Sequence, residues 1–279
     1  AVHKELGLTT EALTRTQMTQ RFPMIDFAGV EIGLYESAFG ALMARRAVQT
    51  LVDVFVQRGG SYVKGFVRPP SVAADLKSIE LSNGQRIEAD YFVFAAGQCL
   101  PKLFPHVLGQ RIFATRQEIF FFAPPAGDPR FSSAAMPGWA DFNGGDIFYG
   151  FPDLEARGVK FAHDKHGVLV DPDTQDRRPT KAALDEIIAF RDRRFPLLKG
   201  APLTEARVCQ YENSSNGDFL IDMHPHLRNV LLVGGGSGLG FKHGPEVGRY
   251  AANRLFAADN AEPRFSLATK GETQHREVH

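Results

Sequence analysis

The stretch Asn229-Val-Leu-Leu-Val-Gly-Gly-Gly-Ser-Gly-Leu-Gly-Phe-Lys-His-Gly-Pro-Glu-Val-Gly-Arg-Tyr-Ala-Ala-Asn-Arg-Leu-Phe256 decides the fold, because an apolar run, a glycine-rich turn and a helical pattern follow one another. Residues 230–233 are apolar and partly β-branched, which predicts a parallel strand covered on both faces. Pro245 and Glu246 suit the first turn of a helix, since proline is tolerated there and a carboxylate favours a helix N-terminus. Apolar residues then recur at helical spacing, so we place the helix at about residues 245–256.

The glycine-rich turn does not match the dinucleotide-binding fingerprint G-x-G-x-x-G. Begun at Gly234 or at Gly236, the fingerprint needs a third glycine where the chain has Leu239 or Phe241. We therefore expect this loop to let the planar body of a ligand approach its backbone N–H groups, with Lys242 beside it. The alternative is a packing turn between strand and helix that binds no ligand.

Composition predicts a soluble globular protein of one or two domains. The chain has 279 residues, 43% of them hydrophobic, with 23 Phe and a formal net charge of zero. It shows no basic patch for nucleic acid, no apolar run of about 18 residues for a membrane span, and no leader, so we expect a cytoplasmic protein. Cys99 and Cys209 are too few for a disulfide framework, and no metal is implied. The first residues, Ala-Val without Met, are typical of a fragment or a processed chain.

The other segments read as an α/β core with an antiparallel excursion, followed by a second layer or domain. The pair Asn83-Gly84 predicts a β-hairpin over residues 78–90, and Ser37 is expected to cap a helix that ends at Gly59-Gly60. We expect a fully buried strand at 91–97. The remaining predicted elements are a short helix within 6–22, strands at 29–35, 62–67, 118–123, 146–151, 158–162 and 204–211, and a helix at 181–195.

Six segments occur in an order and spacing that resemble the FAD-dependent oxidoreductases of the D-amino-acid-oxidase type. Within that family, the sarcosine-oxidase and N-methyltryptophan-oxidase branch is the most similar, and the resemblance extends from about residue 10 to residue 256. The segments are Glu88-Ala-Asp-Tyr-Phe-Val-Phe-Ala-Ala-Gly97, Phe148-Tyr-Gly-Phe-Pro-Asp153, Gly158-Val-Lys160, Val208-Cys-Gln-Tyr211, Phe219-Leu-Ile-Asp-Met-His-Pro225 and Gly238-Leu-Gly-Phe-Lys242.

One departure from the family is the missing strand, G-x-G-x-x-G turn and helix that hold the ADP half of FAD, a unit of about 30 residues. The resemblance therefore implies an α/β (α+β) fold in which the C-terminal part of a Rossmann-like FAD-binding domain is interleaved with an antiparallel-sheet substrate domain. We expect the N-terminal lobe in a longer protein or on a separate chain. The expected division is a substrate domain at 1–35 and 108–212, an incomplete FAD-binding domain at 36–107 and 213–262, and a tail at 263–279.

Two lysines have roles by resemblance. Lys160 lies between Val159 and Phe161, so on a core-facing strand its ammonium would be partly desolvated, which is costly unless the charge has a use. In the family the matching lysine promotes flavin reoxidation by O2, because a fixed cation stabilises the anion that forms. A lysine reaching from the strand to solvent is the alternative. The residue matching Lys242 binds the substrate carboxylate; an ordinary exposed loop lysine is the alternative.

The resemblance also names residues around the flavin ring. Cys209 matches the position at which the branch attaches FAD covalently, although a small buried structural cysteine is the alternative. We place Arg207 on the opposite strand face, and Tyr211 on the same face as Cys209, where it would line the substrate cavity. The branch has a histidine where this chain has Asp164, so we take His163 as the substrate contact. Cofactor contacts are expected from Gly97, Gly236, Ser237, Gly238, Leu239, Gly240 and Phe241.

The function implied is oxidation of a small amine, amino acid or N-methyl amino acid to the imine, with O2 reduced to hydrogen peroxide. FAD is the implied cofactor, and Cys209 is its implied site of covalent attachment. One alternative is a dehydrogenase of the same fold that passes electrons to another acceptor. A second alternative is a non-catalytic fragment or subunit that needs a separate FAD-binding lobe. In that case we expect a colourless preparation from the chain alone.

Overall fold

The computed structural model describes residues 5–71, 75–143, 145, 147–165, 167–257 and 261–273. The chain divides into two compact units, each built from separate stretches of sequence. Unit 1 comprises residues 1–41, 117–167 and 176–209, and unit 2 comprises residues 42–116, 168–175 and 210–279.

Runs of consecutive strands are separated by helices along the chain. The strands are β1 (Thr10–Thr14), β2 (Ile32–Glu36), β3 (Ser78–Glu80), β4 (Arg86–Glu88), β5 (Phe92–Phe94), β6 (Ile112–Phe122), β7 (Trp139–Asp141), β8 (Ile147–Phe151), β9 (Val159–Asp164), β10 (Leu203–Ser214), β11 (Leu220–Met223) and β12 (Val230–Gly234). The helices are α1 (Arg15–Arg21), α2 (Ala44–Gln57), α3 (Leu100–Leu103), α4 (Pro105–Leu108), α5 (Lys181–Arg194) and α6 (Gly244–Phe256).

A five-stranded sheet with the order β10-β6-β9-β8-β7 carries the core of unit 1. Helix α5 covers one of its faces and buries Ile187 and Phe190 against the sheet. Phe161 and Phe120, from the neighbouring strands β9 and β6, are fully buried in the same core. Each such side chain contributes about 1.5–3 kcal/mol by leaving water. Because Phe161 faces α5, its two neighbours on β9 lie on the face of the sheet that points away from α5.

A three-stranded sheet with the order β11-β12-β5 carries the core of unit 2. Strand β12 pairs antiparallel with β11 and parallel with β5, and its residues Val230, Leu231 and Leu232 are fully buried. Helix α6 follows β12 after the glycine-rich loop. The predicted strand, loop and helix at residues 229–256 are therefore confirmed.

Several other predicted elements are present with small shifts at their ends. The hairpin forms between β3 and β4, and β8 pairs antiparallel with β9. The predicted start of β8 at residue 146 lies outside the described residues. Helix α5 begins with a side-chain cap from Thr180, and Thr14 forms a capping box at α1. Antiparallel sheets and mixed helix and strand agree with the predicted fold class.

Three local predictions are wrong. Residues 62–66 form no strand; beside them Val67 makes only an isolated bridge to Leu81, so the segment lacks the partner that a strand needs. Helix α2 begins at Ala44 rather than after Ser37, and it has no side-chain cap. Strand β5 is not fully buried, because Val93 is 50% exposed at the sheet edge.

Helix α2 has an apolar stripe that the described residues leave uncovered. No residue of this helix is buried. Leu51 is 67% exposed and Phe55 is 55% exposed. The apolar periodicity predicts that one face of this helix is buried, but the described residues of unit 2 provide no surface that covers it.

Residues 263–273, within the predicted tail, pack onto unit 2. Phe265 contacts the cluster of Ile221, Leu231 and Ala251, and Leu267 is buried beside Leu220. No helix among the described residues is long and apolar enough to cross a membrane.

Candidate functional site

Lys160 lies on strand β9 between its two neighbours, with Phe121 of β6 and Phe151 of β8 as its register partners. Its Nζ atom lies 4.8 Å from the ring centroid of Tyr149 and 5.2 Å from that of Phe151. Burial lowers the pKa of Lys160, and the charge of Arg157 lowers this pKa further. No carboxylate among the described residues contributes to that shift. The ammonium is held by aromatic faces instead, which favour a cation.

Cys209 is a free, half-buried cysteine on β10, in the same sheet. Burial raises the pKa of the Cys209 thiol, whereas the charges of Lys160, Arg207 and Arg177 lower it. The expectation that Arg207 points to the opposite strand face is wrong, because residues two apart on a strand share a face. Lys160 and Cys209 therefore act on each other electrostatically within unit 1.

His163 lies on the opposite face of β9 from Lys160. Its ring stacks on Phe148 with centroids 4.2 Å apart, and its Nδ1 atom lies 3.1 Å from Oε1 of Glu186 on helix α5. Lys165 forms an ion pair of 2.8 Å with the same carboxylate. The structure therefore does not bring His163 to the face that carries Lys160.

The glycine-rich loop after β12 lies in unit 2 and packs closely against Tyr211. Gly238 has a positive φ of 82°. A Cβ atom at this position would lie 2.5 Å from the Tyr211 ring, so both the backbone and the space require glycine. Ser237 is buried with φ of 48°, and its N–H donates to the carbonyl oxygen of Glu212 over 2.7 Å. Strand β10 thus anchors the loop.

The end of the loop is exposed. Residues Gly240–His243 form a 3-10 turn directly before α6, and Lys242 is exposed there. Leu239 is 54% exposed and Phe241 is 46% exposed, so both present apolar surface to solvent. Gly97 begins a 3-10 turn after β5 with φ of 56°, which is why glycine suits it.

Glu212 is a candidate residue that the sequence analysis missed. It follows Tyr211 on β10, and its Oε1 atom is buried without a hydrogen-bond partner within the described part of the chain. Burial raises the pKa of Glu212 to about 7, although the backbone N–H groups of Gly235 and Gly236 lower it. The sequence signal that could have identified Glu212 is its position beside Tyr211, on a strand that leads back to the glycine-rich loop.

The residues present fit a flavin on two counts. In unit 1, an ammonium among aromatic rings, with no carboxylate partner among the described residues, suits a ligand that gains negative charge. In unit 2, the glycines of the loop pack closely against Tyr211 and Glu212, and the exposed end of the loop at Leu239 and Phe241 presents apolar surface that a planar ring can cover. The described residues contain no group of His, Cys, Asp and Glu that could hold a metal ion.

Comparison with known proteins places the chain in a family. Residues 1–254 match the family described as FAD dependent oxidoreductase, and the chain belongs to it. It is 27% identical over 277 residues to monomeric sarcosine oxidase of Bacillus sp. (strain B-0618), a match that covers 98% of this chain and 67% of the relative. It is 30% identical over 266 residues to N-methyl-L-tryptophan oxidase of Salmonella arizonae, with 93% and 68% covered.

Solved structures show the same fold. The modified fructosyl peptide oxidase of Aspergillus nidulans superposes with a TM-score of 0.81 at 17% identity, over 95% of this chain and 68% of that chain. L-proline dehydrogenase of P. horikoshii superposes with a TM-score of 0.79 at 17% identity, over 95% and 70%. The chain spans about two thirds of the length of the relatives it matches. The predicted family and fold class are confirmed.

Proposed function

We propose that this chain carries the flavin-ring and substrate residues of an FAD-dependent oxidase of small amines, amino acids or N-methyl amino acids. The observation that carries the proposal is the half-buried ammonium of Lys160, which lies among aromatic rings and which no described carboxylate balances. Membership in the FAD-dependent family supports it, as do relatives named for sarcosine and N-methyl-L-tryptophan, two N-methyl amino acids. The substrate class is carried over from those names.

When bound, FAD would supply the redox chemistry, namely removal of a hydride equivalent from the C–H beside the amine and transfer of the electrons to O2. Lys160 stabilises the negative charge that develops on dioxygen, because a fixed cation in a water-poor site interacts strongly with an anion. The rings of Tyr149 and Phe151 hold the ammonium in place. The imine product is hydrolysed by water.

Lys242 binds the substrate carboxylate in this proposal. Its ammonium is exposed in the turn that leads into α6, where the helix N-terminus adds a second favourable interaction for an anion. Tyr211, held against Gly238, lines the substrate side of the loop. Gly97 and residues 236–241 are the proposed flavin contacts.

Cys209 is the proposed site of covalent flavin attachment. Attack on a flavin ring requires the thiolate. Burial raises the pKa of Cys209 overall, and the charges of Lys160, Arg207 and Arg177 oppose that shift and favour the thiolate. The ADP half of FAD needs a G-x-G-x-x-G unit, which these residues lack. We propose that such a lobe, in a longer protein or on a separate chain, completes the cofactor site.

Peroxide formation tests the oxidase proposal. The flavin-loaded protein is reduced by substrate without oxygen and then mixed with O2 as the sole acceptor. We expect about one equivalent of hydrogen peroxide for each substrate oxidised. Reduction by substrate without peroxide would indicate a dehydrogenase rather than an oxidase. Failure to take up flavin in protein that includes the nucleotide-binding lobe would contradict the proposal as a whole.

A further inference from the structure

Glu212 packs against the backbone of the glycine-rich loop. On strand β10 its side chain points to the face opposite Tyr211, since neighbouring residues of a strand alternate. A Cβ atom at Gly234 would collide with Oε1 of Glu212, so the carboxyl group lies directly against the loop backbone. The carbonyl of Glu212 also accepts the N–H of Ser237 over 2.7 Å. Backbone and side chain of one residue thus fix both ends of the segment 234–237.

The surroundings of this carboxyl group contain few polar partners. The backbone N–H groups of Gly235 and Gly236 face it from the loop. Leu100, at the start of α3, packs beside it near Gly234, and Cys99 lies within its electrostatic range. Among the described residues no charged side chain shifts the pKa of Glu212. Within the described part of the chain, a negative charge on this carboxyl group is therefore balanced only by two backbone N–H dipoles.

We propose that Glu212 positions the glycine-rich loop for flavin binding, and that the protonated carboxyl group is the form that accompanies bound flavin. The inference rests on the proposed function, because that proposal assigns the loop to the flavin. A ligand over the loop removes water from Glu212, and the negative charge of FAD also disfavours a carboxylate. Both effects favour the neutral acid.

Proton linkage gives this inference a measurable form. Burial holds the pKa of Glu212 at about 7 in the folded chain. If bound flavin raises this pKa, flavin affinity is constant below about pH 7 and falls above it, by at most tenfold per pH unit for one proton. Below pH 7 both states already carry the proton, so their difference disappears.

The test measures flavin affinity between pH 6 and 9 by quenching of flavin fluorescence, in protein that includes the nucleotide-binding lobe. A Cys209→Ser background keeps the binding reversible. We expect the dissociation constant to rise above pH 7 with Glu212, to be independent of pH in this window with Glu212→Gln, and to be higher at every pH with Glu212→Ala. Glu88→Gln, an exposed strand residue, is the matched control and should keep the dependence seen with Glu212.

Amide hydrogen exchange at residues 235–240 provides a second measurement that does not depend on activity. Glu212→Ala should speed exchange there at least tenfold, whereas the isosteric Glu212→Gln should retain protection. A pH dependence that survives in Glu212→Gln, or unchanged loop exchange in Glu212→Ala, overturns the inference and leaves the proposed function intact. If Glu212→Ala does not fold, the Gln variant alone decides. Loss of flavin binding in every variant, including the one with native Glu212, overturns the proposed function as well.

Discussion

Lys160 in unit 1 and Glu212 in unit 2 are both half-buried ionisable groups whose pKa values are shifted chiefly by burial, yet their surroundings differ. Burial lowers the pKa of Lys160 and raises the pKa of Glu212 to about 7. Aromatic faces partly compensate the ammonium, whereas only backbone N–H groups compensate the carboxylate. The first arrangement suits stabilisation of an anion, and the second suits proton exchange near neutral pH.

Removing the cation should have the largest effect. In Lys160→Met the side chain keeps its approximate length but loses its charge, so we expect the rate of flavin reoxidation by O2 to fall on the order of 10²–10³-fold. Stopped-flow absorbance after anaerobic reduction measures this step apart from substrate oxidation. Lys199→Met, an exposed residue of unit 1, should leave the rate unchanged. An unchanged rate in Lys160→Met would show that the ammonium of Lys160 does not assist flavin reoxidation.

Replacing the carboxyl group should change the pH dependence of stability. The pKa of Glu212 is about 7 when folded, against about 4.3 in an unfolded chain, so the folded state binds more protons between these values. Its stabilising contribution is therefore complete below about pH 4 and is lost as pH rises through 7, on the order of 3 kcal/mol in all.

Glu212→Gln should remove this loss of stability as the pH rises. Urea unfolding at pH 5, 6, 7 and 8 measures the free energy of unfolding at each pH. Glu88→Gln provides the comparison, since an exposed carboxylate should leave the slope as it is. Equal slopes in the two variants would show that Glu212 is ionised in the folded protein throughout this range.

Lys242 extends the comparison to an exposed cation. If its ammonium binds the substrate carboxylate, Lys242→Met should raise KM about tenfold to a hundredfold, the range for a hydrogen bond to a charged group, with a smaller change in kcat. Steady-state kinetics with an amino acid and with its decarboxylated amine separates the carboxylate contribution. Lys77→Met, exposed in the same unit, is the control. Equal losses for acid and amine would contradict the assignment.

The smallest expected effect is on the Cys209 thiol. The charge of Lys160 lowers the pKa of this thiol against the effect of burial, so Lys160→Met should raise the pKa further. Alkylation by iodoacetamide across pH 7–10, in a Cys99→Ser background without flavin, reports the thiolate fraction. An unshifted profile would show that the two groups are not coupled.

Local signals in the sequence predicted the parts of the fold that depend on neighbouring residues. The hairpin at Asn83-Gly84 and the strand, loop and helix at residues 229–256 carry their own turn and capping signals. The segment 62–67 failed because strand formation needs a partner strand, which composition does not report.

The candidate site was predictable to the extent that the resemblance to a known family assigned its residues. Lys160 and Cys209 were assigned by that resemblance, and the structure brings them into electrostatic range. The buried side of His163 depends on the packing of α5, which lies far away in sequence. Glu212 was missed because its partners, Gly234 to Gly236, meet it only through tertiary structure.

Helix α2 has a consequence for handling the protein. Its uncovered stripe, with Leu51 67% exposed and Phe55 55% exposed, is combined with a sequence pI of about 7.3. Near that pH the 279-residue chain has almost no net charge to keep molecules apart, so its solubility should be lowest in ordinary neutral buffers. Concentrated samples should remain clear longer at pH 8.5 to 9 than at pH 7.3.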